Sequence, residues 1–234
     1  MKPLCFLILI SLTAPCFGEG LQTSLDAIAA NQDRIASEIA RGDLTVRIVD
    51  EEGAVLNTIA QRITLYLKRP DKIKIVVTSA EGTSIVITQI KDTLSQKING
   101  GAVTTKKVTP DTDVFQRYLG YGIEHMADYF TVVASRPAAG TTEYELVPNA
   151  GRKDLDRYVV RIDNATGMLV YEAYMNQNIK TLEIEKSYIK KDSVFVLRKM
   201  SLRTTQQGMK METVFDYKTI EANIAIPEKE FELY

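Results

Sequence analysis

From Asp43 onward the chain alternates between apolar and polar residues. DLTVRIVD sets Leu44, Val46 and Ile48 against Thr45, Arg47 and Val49. LNTIAQRITLYLK sets Ile59, Ile63, Leu65 and Leu67 against Thr64, Tyr66 and Lys68. A period of two marks strands with one face buried. Gly53, Pro70-Asp71, Glu81-Gly82 and Asn99-Gly100-Gly101 punctuate the pattern, separating KIKIVVT, TSIVITQI and a further strand over residues 93–98. Four or five strands joined by short turns describe an antiparallel meander. Strands resume after Gly140 as TEYELVP, DRYVVRID, MLVYEAYM, IKTLEIEKSYI, SVFVLRKMSLRT and MKMETVFDYKT. The expected total is about 10–11 strands in one large, strongly bent antiparallel sheet.

Two segments break the alternation. LQTSLDAIAANQDRIASEIAR, residues 21–41, spaces Leu21, Leu25, Ile28, Ile35 and Ile39 as one helical stripe, with Arg41 and Gly42 at its end. In TPDTDVFQRYLGYGIEHMADYF, Thr109-Pro110-Asp111 predicts a helix start, with Val114, Phe115, Tyr118 and Leu119 on one side of a short helix over 112–119. A second short helix or a loop leads to Met126, then a strand YFTVVAS. The tail IEANIAIPEKEFEL is irregular. Helices that are apolar on one side need a surface, and a bent sheet needs its concave face covered. The predicted fold is therefore mainly β with α: an incomplete, half-open antiparallel barrel covered by the N-terminal helix and the short mid-chain helices. Such an arrangement can enclose a cavity.

The chain opens MKPLCFLILISLTAPCFGEG, with Lys2 ahead of an apolar run from Leu4 to Ile10 that is too short to span a bilayer. This reads as a secretory signal peptide over residues 1–18, cut after Gly18, with residues 19–234 as a single domain. The competing reading is a lipid anchor at Cys16, for which TAPC is a poor match because Pro15 stands where a small residue is wanted. Both cysteines, Cys5 and Cys16, fall in the leader, so the mature chain is expected to have no disulfide and to depend on its core. The whole chain carries 29 Lys and Arg against 30 Asp and Glu, which offers nucleic acid no basic field. Export without disulfides suits a bacterial envelope protein. The sequon Asn164-Ala165-Thr166 sits in DNATG and reads as a turn.

No catalytic residue, metal site or cofactor is nominated. The single histidine, His125, has no GxSxG beside it, and no HExxH or clustered His and Cys occurs. Methionines 126, 168, 175, 200, 209 and 211 and tyrosines 144, 158, 171, 174, 188 and 217 concentrate in the second half. They make either a mixed core or a lining for flexible apolar ligands.

Several stretches carry a family likeness. LYLKRPDKIKI, residues 65–75, is an apolar strand ending in Lys-Arg-Pro and followed by a second strand. YELVP at 144–148 precedes RYVVRID, a DNATG turn and a strand leading to MNQNIKT, and the chain closes on IPEKEFEL. In these features it resembles the LolA/LolB superfamily, periplasmic carriers that sort outer-membrane lipoproteins. It departs from the family at IKDTLSQKI, where a tryptophan is usual, and the whole chain has no tryptophan. The resemblance implies a non-enzymatic periplasmic carrier that takes acyl chains of a lipoprotein or lipid into an apolar cavity. An inner-membrane donor and an outer-membrane acceptor would be its partners. The cavity would be lined by Ile63, Leu65, Leu67, Ile73, Ile75, Leu146, Met168 and Val170. The family's Lys-Arg-Pro arginine, which helps hold the lid closed, corresponds to Arg69. Strand alternation agrees, since Arg69 falls on the face of Ile63, Leu65 and Leu67. The competing reading is that Arg69 reaches out to water. For the whole protein the alternative is an envelope sensor or scaffold that binds a protein on the same fold. A hydrolase using His125 is the remaining reading.

Overall fold

The computed structural model describes residues 17–109, 126–149, 155–206 and 209–232. A helix α1 (Phe17–Asp33) precedes thirteen strands in one antiparallel sheet. The first six are β1 (Ser37–Val49), β2 (Val55–Lys68), β3 (Lys72–Ser79), β4 (Ser84–Ile90), β5 (Thr93–Ile98) and β6 (Thr104–Lys107). A one-turn helix α2 (Met126–Tyr129) leads into β7 (Phe130–Ala138), β8 (Thr141–Pro148), β9 (Arg157–Asp163) and β10 (Leu169–Asn176). The last are β11 (Ile179–Lys191), β12 (Val194–Gln206) and β13 (Met209–Ala222). The order across the sheet is β6-β5-β4-β3-β2-β1-β13-β12-β11-β10-β9-β8-β7. Strands β6 and β7 are its two ends and do not join, so the barrel is incomplete as expected.

Three expectations are corrected or fall outside the described residues. The described residues form thirteen strands in one sheet, where about 10–11 were expected. One unforeseen strand is β6, whose TTKK contains no apolar residue and so gives no alternation to read. The N-terminal helix stops at Asp33, and SEIAR begins β1 instead of ending a helix. Ser37, Glu38, Ile39 and Ala40 are all buried, which erased the period of two. Ala40 belongs to the concave core, while Ile39 packs with Ile226 and Phe231 of the C-terminal tail on the other face. The helix expected over 112–119, and His125, lie outside the described residues.

The C-terminal tail crosses the convex face. Lys68 donates to the Ile226 carbonyl and to Glu228, Lys72 pairs with Glu228, and Lys74 donates to the Glu230 carbonyl at 2.6 Å. These lysines alternate with the buried Leu67, Ile73 and Ile75 of the concave face. The two lysines salt-bridged to Glu228 draw its carboxyl down to about 2. Further along the same face, Arg136, Glu143 and Arg161 form a cross-strand ladder over β7, β8 and β9. Convex polarity and concave apolarity are the pattern that one-sided burial dictates.

Candidate functional site

The concave face carries two apolar clusters. Ile63, Leu65 and Leu67 of β2 and Ile73 and Ile75 of β3 pack with Ala40, Val196, Phe215 and Ile220 in the first. Leu146 and Met168 belong to the second, with Tyr144, Val160 and Ile162. Seven of the eight residues expected to line a cavity are therefore buried on one surface, in two groups. Val170 lies apart: it is half-buried at an irregularity in the β9–β10 pairing and joins neither cluster. Each fully buried leucine or isoleucine contributes roughly 1.5–3 kcal/mol.

Helix α1 covers the second cluster through Leu21, Leu25 and Ile28, which are spaced for one helical face and almost fully buried. Its C-terminal end is fixed by polar contacts. Asn31 is 3% exposed; it donates to the Phe195 carbonyl at 2.9 Å and accepts from the Phe195 N–H at 2.8 Å. This is the pairing a neighbouring strand would make. It is needed because β12 and β13 pair only from Lys199 and Asp216 onward, leaving the first residues of β12 without β13 beside them. Replacing Asn31 with alanine should cost about 1–3 kcal/mol, because it strips both Phe195 groups of their partner in a buried place. Urea unfolding would read the loss, and Asn31→Asp, which keeps only the acceptor, should fall between. Wild-type stability in both variants would mean that water replaces the amide freely.

Arg69, at the end of β2, donates from Nη1 to Asp33 Oδ1 at 3.1 Å. Asp33 is the last residue of α1, and that last turn has no basic residue of its own. A carboxylate there opposes the helix dipole, so the guanidinium offsets an unfavourable end charge as well as forming an ion pair. The Arg69 N–H also donates to the Ala36 carbonyl at 2.9 Å. The Arg69–Pro70 bond is cis. The arginine therefore reaches the N-terminal helix through a carboxylate.

Between α1 and the sheet lies a cavity of about 50 Å³, walled by residues that include Ile28, Ile35, Glu38, Leu67, Met168 and Lys186. Pockets that hold ligands usually run to about 300–1,000 Å³. This one has room for a few waters.

The concave side also holds a buried polar cluster. Lys186 Nζ lies 2.5 Å from Glu172 Oε1, and the Tyr158 hydroxyl donates to Glu172 Oε2 at 2.5 Å. Tyr174 stands 3.4 Å from the same oxygen and stacks at 4.5 Å on Tyr158. Burial would raise the Glu172 carboxyl, but Lys186 and the tyrosine hydroxyls outweigh it and hold it below the ordinary range. Burial alone would lower Lys186; Glu172 holds it above the lysine range instead. Burial and the Glu172 charge push Tyr174 up to about 12. Glu38 is a different case. It is 4% exposed, and burial raises its carboxyl to about 7.

Sequence reading missed both features. Glu172 shares an inward face with Tyr158 and Tyr174, and Lys186 alternates into line with Ile184, so parity within YEAY and IEKSY was the available signal. Glu38 was hidden by the helical reading of SEIAR.

Among the described residues no helix is long and apolar enough to cross a membrane. No group of three or more His, Cys, Asp or Glu there could hold a metal ion. No family model and no curated protein matches the sequence. Solved structures do match in shape. A DUF1329 family protein from Desulfovibrio piger aligns with a TM-score of 0.61 at 12% identity, over 91% of this chain and 97% of that one. A putative outer membrane lipoprotein-sorting protein domain from Vibrio parahaemolyticus aligns at 0.58 and 13% identity, over 90% and 97%. A LolA superfamily protein from Nitrosomonas europaea aligns at 0.58 and 10% identity, over 91% and 97%. Across nearly its whole length, this chain has the fold that DUF1329 and LolA superfamily proteins share.

Proposed function

We propose that the protein is a periplasmic carrier. It takes acyl chains of a lipoprotein or lipid against its concave apolar face and delivers them towards the outer membrane, between an inner-membrane donor and an outer-membrane acceptor. The reading rests on one observation: an apolar concavity is covered by a helix whose end is held by few polar contacts, Arg69–Asp33 and Asn31–Phe195. Burial of each chain methylene would contribute about 0.8 kcal/mol, so affinity scales with chain length and needs little specific polar chemistry. Lifting α1 would join the cavity to the walls formed by Ile63, Leu65, Leu67, Ile73, Ile75, Leu146 and Met168, with Val170 at their margin. The fold's likeness to a lipoprotein-sorting domain supports the same reading. Export by the leader at residues 1–18 places it in the envelope, and no catalytic chemistry is required.

Arg69 is the latch in this scheme. Its ion pair with Asp33 exists when α1 is seated, so it stabilises the empty form and favours release. The pair is largely exposed on the Asp33 side and is worth at most about 1 kcal/mol. Arg69→Leu should therefore retain cargo about fivefold more tightly and transfer it correspondingly less to acceptor membranes. Normal handover by this variant would remove Arg69 from the mechanism. The carrier reading itself is tested by extracting protein purified from the envelope and analysing the extract by mass spectrometry for acyl chains.

A second reading is a sensor or scaffold that binds a protein. Val55, Leu56 and Ile59 on β2 and Met209 and Met211 on β13 are exposed apolar residues at the end of the sheet away from Asn31. An empty extract, together with a co-purifying protein lost on Leu56→Glu, would favour this reading.

A further inference from the structure

Glu38 has no role in the cover, the latch or the apolar walls, yet it lies where they meet. It stands on the second residue of β1, five residues after α1 ends, paired in register with Leu67 and facing the cavity under the helix. A carboxyl buried this deeply among apolar side chains is costly when charged.

We propose that Glu38 couples the seating of α1 to a proton: the helix closes over the neutral carboxylic acid, and lifting it lets water reach and ionise the carboxyl. This rests on the reading of α1 as a movable cover.

Among the described residues, the surroundings leave Glu38 alone in this role. On α1, Asn31 and Gln32 face the cavity and do not titrate, and Asp33 is paired with Arg69, which follows β2. Lys68 of β2 is bound to Glu228 on the other face. Lys186 of β11 is neutralised by Glu172 of β10, with Tyr158 of β9 and Tyr174 on that carboxylate. Tyr188 of β11 is held neutral by burial. On β12, Arg198 is bound to Asp216 of β13, and on β13 Glu221 is bound to Arg41. The carboxylate of Glu172 lies below the usual range and the ammonium of Lys186 above it, so neither changes charge between pH 5 and 8.

The sign follows from linkage. The seated form binds the Glu38 proton up to about pH 7, whereas a water-exposed carboxyl holds it only to the ordinary 4.5. Between those values every unit rise in pH therefore favours the lifted form about tenfold, levelling off above pH 7 after a total of about 300-fold. Low pH seats the helix and neutral to alkaline pH frees it.

The test is amide hydrogen exchange of α1 in the full-length protein, corrected for the intrinsic pH dependence of exchange. From pH 5.5 to 7.5 the protection of α1 should drop about twentyfold relative to β9 and β10. In Glu38→Gln, which has the same shape and no charge, it should stay flat. An equal slope in both proteins, or a flat wild type, overturns the proposal. A carboxyl titration of Glu38 by NMR provides a second reading that needs no variant. A midpoint near 4.5 overturns the coupling, and one near 7 supports it. Uptake of a fluorescent naphthylamine probe, measured on the same samples, separates the two ideas. Probe uptake with pH-independent α1 protection removes the coupling alone. Absence of uptake with the pH slope intact leaves the coupling and removes the carrier reading.

Discussion

Lys186→Met should destabilise the protein by about 3–5 kcal/mol at pH 7, the usual cost of removing one member of a buried ion pair. The side chains of Lys186 and Glu172 are 10% and 9% exposed, so water can do little for the carboxylate left behind. The two hydroxyls of Tyr158 and Tyr174 would remain as its hydrogen-bond partners. The pH dependence gives the mechanism away. In the native protein Glu172 is held below its ordinary value. Its contribution is therefore complete above the unfolded value and lost as pH falls through the folded one. Without the ammonium, burial dominates and the carboxyl rises instead, so the variant's deficit should shrink as the buffer is acidified from pH 7 to 4.5. Urea unfolding at both pH values would show this. Lys186→Met combined with Glu172→Gln should recover part of the loss, because the remaining amide is neutral and can still accept from Tyr158. A deficit below about 1 kcal/mol at pH 7 would mean the pair is solvated and would contradict its placement in the core.

Gly42→Val should cost about 3 kcal/mol or more. A Cβ at this position would fall 2.1 Å from the Asp216 carbonyl oxygen and 2.6 Å from the Tyr217 Cα, both backbone atoms with no rotamer to give. The close approach arises at the bulge where Arg41 faces Thr219 but Gly42 faces Tyr217. Strand β12 leaves β13 at the same level, and Arg198 binds Asp216 and the Tyr217 carbonyl there. A side chain at Gly42 would push apart β1 and β13 where the sheet divides. Thermal unfolding would register the loss, and hydrogen exchange should localise it to β1 and β13. Gly42→Ala should show most of the same effect, since the first carbon already collides. A variant as stable as wild type would show that the bulge slides to make room.

How far the sequence revealed this depended on how many faces of each segment are buried. Where one face meets the core, as in ITLYLK and KIKI, alternation located the strands and assigned Ile63, Leu65, Leu67, Ile73 and Ile75 to the inner side. Where both faces are covered, as at Ser37 to Ala40, a strand passed for the end of a helix because Ile35 and Ile39 happen to stand four apart. β6 has neither face buried and left no trace. The position of Arg69 at the mouth of the apolar face followed from parity, but its partner did not. Nothing in the local pattern marks Asp33, and only the fold brings it to the end of β2. The polar cluster of Glu172, Lys186, Tyr158 and Tyr174 draws its members from three strands. No local pattern announces it beyond a charge at an inward position.

The amide of Asn31 occupies the place of a missing strand, and that has a consequence for the uncovered protein. Were α1 to lift, it would bare an apolar surface together with the N–H and carbonyl of Phe195, both ready to pair. An extended segment from another molecule could satisfy both at once. The seated helix is then a guard against self-association as well as a cover for the apolar face. The time it spent away from the sheet would set how long the protein could remain dispersed.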